Sequence, residues 1–214
     1  MTNIRIDIVS DTVCPWCYVG KKRMESAIAQ WTSTHPSDTF TTTWYPFYLD
    51  PTAPIPGEDK QQRYERKFGA ARTTMMQQRL AAIGDAEGIA FKFGGRTGNT
   101  RNSHRLVQLG KTKGPDRQTR VIEELFAAYF ENEQDVSDVG VLQKAGEKAG
   151  LGAEEVKEWL ASDKGGKEVD EEVERAQRRF ISGVPHFTIN GKYELGGAQE
   201  AEAFLEAFEK VKGE

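Results

Sequence analysis

The stretch Asp11-Thr12-Val13-Cys14-Pro15-Trp16-Cys17 lies between a predicted strand and a predicted helix. Before it, Asn3–Ser10 carries isoleucine at every second position, which is the pattern of a β-strand with one buried face. After Cys14, proline suits the first turn of a helix, because its missing N–H would have no intrahelical partner there. Apolar residues then follow at helical spacing as far as Trp31. The sequence therefore predicts a helix that begins at Pro15 and carries both cysteines in its first turn.

The two cysteines are the only ones in the chain. A disulfide between them would close a very short loop, so it would contribute little to stability. The N–H groups and the dipole at a helix start stabilise a thiolate, so we predict that Cys14 is an exposed nucleophile and that Cys17 resolves its disulfides. A zinc site is the alternative, but zinc needs four ligands, and His35, His104 and His186 are scattered along the sequence.

The order of predicted elements indicates the fold class. A second strand is predicted over Phe40–Tyr48, and residues 58–164 read as almost wholly helical, including a helix over Ser103–Leu109. The C-terminal region is predicted to contain a charged helix, two strands joined by a two-residue turn at Asn190-Gly191, and a last helix; these cover Lys167–Phe180, His186–Ile189, Lys192–Leu195 and Ala198–Val211. We predict an α/β protein with a thioredoxin fold, formed by residues 1–52 and 166–214, and a helical insertion domain, formed by residues 53–165.

Three segments resemble the DsbA-like oxidoreductases, in particular their FrnE-like branch. Asp11–Gly20 resembles the active-site segment, and Ser182–Pro185, with Asn190-Gly191 and Gly197–Gln199, resembles the cis-proline segment and the start of the last helix. Asn102–Leu106 resembles the Ala-His-Arg-Leu motif of the helical insertion. The resemblance spans nearly the full length, and it implies dithiol–disulfide cycling without a metal or nucleotide cofactor.

The resemblance also suggests which side chains contact substrate. In this family a cis proline lies beside the cysteines and its neighbour presents backbone to a bound peptide, whereas an ordinary loop proline is the alternative for Pro185. His186 departs from the family pattern, where an aromatic or small residue is expected, and Ser103 replaces alanine. The candidate substrate-binding residues are Pro15, Trp16, His104, Val184, Pro185 and His186. Trp16 is expected to offer an aromatic surface to substrates.

Some side chains near the motif have two interpretations. His104 either faces the cysteines from the insertion or lies on a helix surface, and His186 either touches substrate or is only a strand residue. Asp11 either caps the turn into the helix, which we favour, or accepts a proton from Cys17. Lys21-Lys22-Arg23 begins about 10 Å along the helix from Cys14, roughly one Debye length, so we predict that these residues form a solvated face.

Composition excludes several classes of protein. The net charge is −4, and the 29 basic and 33 acidic residues are mixed along the chain, which argues against a nucleic-acid-binding surface. The longest apolar run, Leu125–Phe130, is far shorter than the roughly 20 residues of a membrane span. The first residues alternate polar and apolar, unlike a secretory signal, so we expect a cytoplasmic protein with reductase or isomerase activity.

The leading functional hypothesis is a thiol–disulfide oxidoreductase that acts on proteins or on small thiols and disulfides, with glutathione as one candidate. The runner-up is a glutathione-dependent isomerase or transferase, because the same fold family includes 2-hydroxychromene-2-carboxylate isomerases and kappa-class glutathione transferases. Those enzymes usually carry serine at the position of Cys14. A third hypothesis is a binding module that helps other proteins to fold. The sequence leaves the substrate and the oligomeric state open, and a homodimer is one alternative.

Overall fold

The protein is described here by a computed structural model that covers residues 1–213. The strands are β1 (Asn3–Ser10), β2 (Thr39–Pro46), β3 (Glu58–Asp59), β4 (Arg96–Thr97), β5 (His186–Ile189) and β6 (Tyr193–Gly196). The helices are α1 (Pro15–Thr34), α2 (Lys60–Phe68), α3 (Ala70–Glu87), α4 (Arg101–Thr112), α5 (Pro115–Phe126), α6 (Val139–Lys148), α7 (Ala153–Ala161), α8 (Gly166–Arg178) and α9 (Ala201–Lys212). A π-helical segment, Ala127–Glu131, continues α5.

Strands from both ends of the chain form the main sheet, in the order β2-β1-β5-β6. β1 runs parallel to β2 and antiparallel to β5, and β5 runs antiparallel to β6. The three isoleucines of β1 are fully buried, as the alternating pattern predicts. The predicted fold class, a thioredoxin fold with helices inserted between its two halves, is confirmed.

The helices inserted between β2 and β5 pack directly against the thioredoxin half. α5 and α8 contact β2, while α1 contacts α9 and α3. One continuous hydrophobic cluster contains residues of β1 and α1. It also contains Phe126, Tyr129 and Phe130, which lie in the inserted segment. The division of the chain into two domains at residues 53 and 165 stays a prediction. Within residues 1–213, none of the helices has the length and apolar character that crossing a bilayer requires.

The region from residue 58 to 164 is mostly helical, as predicted, and it also contains a short antiparallel ladder in which Glu58 and Asp59 pair with Thr97 and Arg96. One local prediction is wrong in detail. The last hairpin has three residues, Asn190–Lys192, between the paired ends Ile189 and Tyr193, rather than a two-residue turn. Asn190 and Gly191 have φ angles of 50° and 73°, the left-handed conformation that asparagine and glycine tolerate best.

The predicted solvated face at Lys21-Lys22-Arg23 is also wrong. Lys21 is 1% exposed, and its Nζ donates to Glu25 of α1 and to Glu123 of α5, the latter at 2.9 Å. Arg23 is half-buried and pairs with Glu87 of α3. This face of α1 is covered because the inserted helices α3 and α5 pack on it, so distance from Cys14 along the helix does not determine its exposure.

Candidate active site

Cys14 is the N-cap residue of α1. Its backbone is extended, with φ −91° and ψ 112°, and Pro15 follows in the first turn. The Cys14 N–H donates to the Asp11 carbonyl at 3.1 Å, and the Cys17 N–H donates to the Cys14 carbonyl at 3.1 Å. The chain therefore turns from β1 into α1 with the Cys14 sulfur at the positive end of the helix dipole. Both cysteines are free thiols in this structure.

Cys14 opens onto a cavity rather than onto bulk solvent. Only 4% of its surface is exposed, so the prediction of an exposed nucleophile is wrong in that respect. The cavity, which we call the active-site cavity, has a volume of about 370 Å³, within the range of small-molecule sites. It lies between the start of α1, the loop after β2, helices α2 and α3, and the segment before β5. Its lining includes Asp11, Cys14, Pro15, Trp16, Leu49, Asp50, Arg63, Tyr64, Lys67, Phe68, Met76, Leu80, Thr97, Gly183 and Val184.

The segment before β5 contacts the first cysteine. The Cys14 thiol donates to the Val184 carbonyl at 3.5 Å, and the Val184–Pro185 peptide bond is cis. Gly20 of α1 permits this approach, because a Cβ atom there would lie 3.1 Å from both Pro185 and Phe187. Val184 lines the active-site cavity, whereas Pro185 is buried beside it. The backbone next to the cis proline therefore borders the same space as the Cys14 sulfur.

Cys17 lies behind Cys14 and is 1% exposed. Burial raises the pKa of the Cys17 thiol, and its hydrogen bond with Cys14 raises the pKa further. The Ser10 hydroxyl and the Asp11 backbone N–H face the same sulfur and act in the opposite direction, because donors stabilise a thiolate. The buried Ser10 Oγ makes no hydrogen bond within residues 1–213, so it acts on the Cys17 sulfur from nearby without a close hydrogen bond to it. Sequence reasoning missed Ser10, whose only signal is a hydroxyl at the end of β1.

His104 fits neither of its two predicted positions, because it lies behind Asp11 and is 2% exposed. Its Nε2 lies 3.1 Å from the Phe47 carbonyl and 3.3 Å from Asp11 Oδ1. A carbonyl only accepts, so Nε2 carries the hydrogen and donates to both oxygens. The other Asp11 carboxylate oxygen accepts the Leu49 N–H at 2.8 Å. Asp11 thus does not cap α1 with its side chain, contrary to the favoured prediction; the carboxylate instead ties the strand end to the loop after β2.

The remaining candidate residues lie at different distances from the cavity. Trp16 is half-buried and lines it, and the Arg79 guanidinium lies 6.0 Å from the centre of the Trp16 ring. His186 is the first residue of β5 and is not among the residues that line the cavity. Burial lowers the pKa of His186, and its Nε2 lies 3.9 Å from the nearest Glu194 oxygen. A role for these residues in substrate binding stays a prediction.

The described part of the chain, residues 1–213, contains no group of three or more His, Cys, Asp or Glu side chains that could hold a metal ion. A structural zinc site needs four ligands. Within the described residues, the two cysteines do not belong to a group of that size.

Comparison with known proteins agrees with this geometry. The sequence profile of the DSBA-like thioredoxin domain matches residues 5–209. The crystal structure of a probable DsbA oxidoreductase, SCO1869 from Streptomyces coelicolor, is 31% identical and superposes with a TM-score of 0.88, covering 99% of this chain and 91% of that chain. The uncharacterized protein YwbO of Bacillus subtilis is 27% identical over 95% of each chain. The cytosolic disulfide reductase DsbM from Pseudomonas aeruginosa is 13% identical, has a TM-score of 0.66 with 98% of each chain covered, and shares the fold. The chain therefore belongs to the DSBA-like thioredoxin domain family.

Proposed function

We propose that this protein is a thiol–disulfide oxidoreductase that exchanges disulfides with protein or small-thiol substrates through Cys14 and Cys17. The observation that carries the proposal is the position of Cys14. Its sulfur lies at a helix N-terminus, lines a cavity of about 370 Å³, contacts the Val184 carbonyl, and has a second thiol directly behind it. Membership of a family of oxidoreductases supports this class of reaction.

The first step takes place at Cys14. Its thiolate attacks one sulfur of a substrate disulfide, the substrate S–S bond breaks, and the departing thiolate takes up a proton. The product is a mixed disulfide between Cys14 and the substrate. The helix dipole favours the attacking thiolate. The Val184 carbonyl and the backbone around it border the cavity where the substrate chain would lie.

The second step uses Cys17. Its thiol loses a proton and attacks the Cys14 sulfur, and the second substrate sulfur leaves as a thiolate that is then protonated. The substrate gains two electrons and two protons, and the protein holds the Cys14–Cys17 disulfide. Because the pKa of Cys17 is raised, this step is expected to be faster at higher pH. An external dithiol or two molecules of a monothiol then reduce the protein disulfide and complete the cycle.

We further propose that the protein works in the cytoplasm in the reducing direction, with glutathione as a candidate reductant. The support is the fold shared with a cytosolic disulfide reductase. A glutathione-dependent isomerase is less well supported. Such an enzyme needs one thiol site for glutathione, and it gives no role to the buried thiol of Cys17 beside Cys14.

The test is insulin reduction with dithiothreitol, measured for the parent protein and for Cys14→Ser, Cys17→Ser and His35→Ser as a control outside the site. We expect Cys14→Ser to lose catalysis and Cys17→Ser to accumulate a mixed disulfide that mass spectrometry detects. Full activity in Cys14→Ser would overturn the proposal. Conjugation or isomerisation with glutathione that survives in Cys17→Ser would favour the isomerase. Suppression of aggregation that persists without either cysteine would indicate a binding module.

A further inference from the structure

A second, smaller cleft adjoins the active-site cavity. Its walls are formed mainly by rings and one buried amine: Lys60, Tyr64, Phe91, Phe93, Tyr129 and Phe130. We call it the aromatic cleft. Pro15, Tyr64 and Leu80 line both spaces, so the aromatic cleft begins beside the residue that follows Cys14. Its volume is about 20 Å³, which is room for one small terminal group and not for a whole substrate, since a water needs roughly 10–15 Å³.

Lys60 has no carboxylate partner. Its side chain begins in the first turn of α2 and the residue is 2% exposed. The Nζ donates to the Tyr129 carbonyl at 3.2 Å and lies 3.7 Å from the centre of the Tyr129 ring. No Asp or Glu oxygen within residues 1–213 lies within ion-pair distance of this Nζ. An ammonium has three hydrogens to donate, so this buried cation retains donor capacity at the wall of a cleft.

The nearest acidic groups are occupied elsewhere. Glu133 and Asp135 influence Lys60 only at longer range. Glu133 accepts the Gly94 N–H at 2.8 Å, and Asp135 accepts from Gly57 and from the Ser137 hydroxyl. The two cations of the active-site cavity differ from Lys60, because Arg63 pairs with Asp50 and Glu58, and Lys67 is exposed to solvent. Lys60 is thus the buried cation near Cys14 whose charge is left for an incoming anion to balance.

The shape and the charge together define a ligand class. The small ring-lined cleft favours a flat terminal group, and the ammonium favours a carboxylate there. The larger active-site cavity, lined by Trp16, Tyr64 and Phe68, has room for an aryl ring. Pro15, the residue after Cys14, lines both spaces, so a carboxylate in the aromatic cleft and a sulfur at Cys14 can belong to one substrate. We propose that Lys60 binds the carboxylate of an aryl thiol or aryl disulfide substrate, whose sulfur then reaches Cys14 in the active-site cavity. This inference rests on the proposed function.

The experiment compares two probes that differ in the carboxylate. Reduced protein is mixed with dithiobis(nitrobenzoate) or with bis(nitrophenyl) disulfide, and the second-order rate constant is measured from the release of the coloured nitrothiophenolate. For Lys60→Met we expect a loss of about tenfold with the carboxylate probe and a change of less than about twofold with the neutral probe. Lys60→Arg keeps the charge and is expected to retain most of the rate. Lys210→Met is the matched control, because Lys210 is exposed on α9 and lines neither the aromatic cleft nor the active-site cavity.

Equal losses with both probes, or no loss with either, would overturn the assignment of Lys60. A failure of the neutral probe to react with the parent protein faster than with Cys14→Ser would instead overturn the proposed function, so the two failures are distinguishable. The parent protein offers a test that needs no folded variant. Free nitrobenzoate is expected to slow its reaction with both disulfides, and nitrobenzamide is not; equal effects of the two competitors would also overturn the carboxylate site.

Discussion

Replacement of Lys60 by methionine is expected to stabilise the protein near neutral pH. Lys60 is 2% exposed, and burial lowers the pKa of its ammonium from the ordinary value of 10.5 to about 8. A lowered pKa means that the folded state holds the charged form less favourably than the unfolded chain does. The variant removes this cost, because a methionine of similar length carries no charge.

The magnitude follows from the difference between the two pKa values. At about 1.4 kcal/mol per pKa unit, burying the charged form costs the folded state roughly 3 kcal/mol. The variant also loses the hydrogen bond from Nζ to the Tyr129 carbonyl, a loss of about 1 kcal/mol. The free energy of unfolding of Lys60→Met should therefore exceed that of the parent by about 2 kcal/mol near pH 7.

The difference in free energy of unfolding between Lys60→Met and the parent protein depends on pH. The free-energy cost of burying the charged amine is fully present below the folded pKa of about 8, and it disappears as the pH rises from there towards 10.5. The reason is that the unfolded chain binds more protons than the folded protein in this pH range. The advantage of Lys60→Met should shrink over this window. Urea unfolding followed by tryptophan fluorescence at several pH values measures it, with Lys92→Met as the exposed control. A variant that is less stable than the parent near pH 7, or a difference that does not change with pH, would refute the reasoning.

Three further changes test the surroundings of the cysteines. Ser10→Ala should raise the pKa of Cys17 and prolong the mixed disulfide, with recovery in Ser10→Thr; the pH profile of the resolution rate measures this, and an unchanged profile would contradict it. Lys21→Met should lower the free energy of unfolding by about 1–2 kcal/mol, because its two partly exposed carboxylate partners lose a buried cation; urea unfolding would show the loss. His104→Phe should cost about 2 kcal/mol by leaving Asp11 without its buried donor, and a melting temperature equal to that of the parent would exclude this.

The elements that carry the site were predictable because their signals are local. Proline after Cys14 and the apolar spacing that follows place the start of α1, and alternation in Asn3–Ser10 places β1. Neither signal needs information from the rest of the chain. The resemblance to DsbA-like oxidoreductases added the pairing of Cys14 with the segment around Pro185, which the structure shows as a contact between the Cys14 thiol and the Val184 carbonyl.

Among the predictions that failed, those for Lys21 and His104 concern burial. Lys21 was expected on a solvated face, and His104 was expected in a pocket or on a surface, because spacing along one helix does not show what packs against it. Lys21 is covered by α5, and His104 is turned towards the strand end at Asp11. Both partners come from elements far away in sequence, so no local pattern identifies them.

The amino-acid sequence by itself determined the strand, the helix start and the two thiols in its first turn, because backbone preferences act between neighbours. Tertiary structure alone decided that Cys14 opens onto a cavity and that Cys17 lies near Ser10. It also left Lys60 with its charge uncompensated beside that cavity. The physical reason is that solvation and charge pairing depend on which distant elements pack around a group, and these quantities are set only when the whole chain has folded.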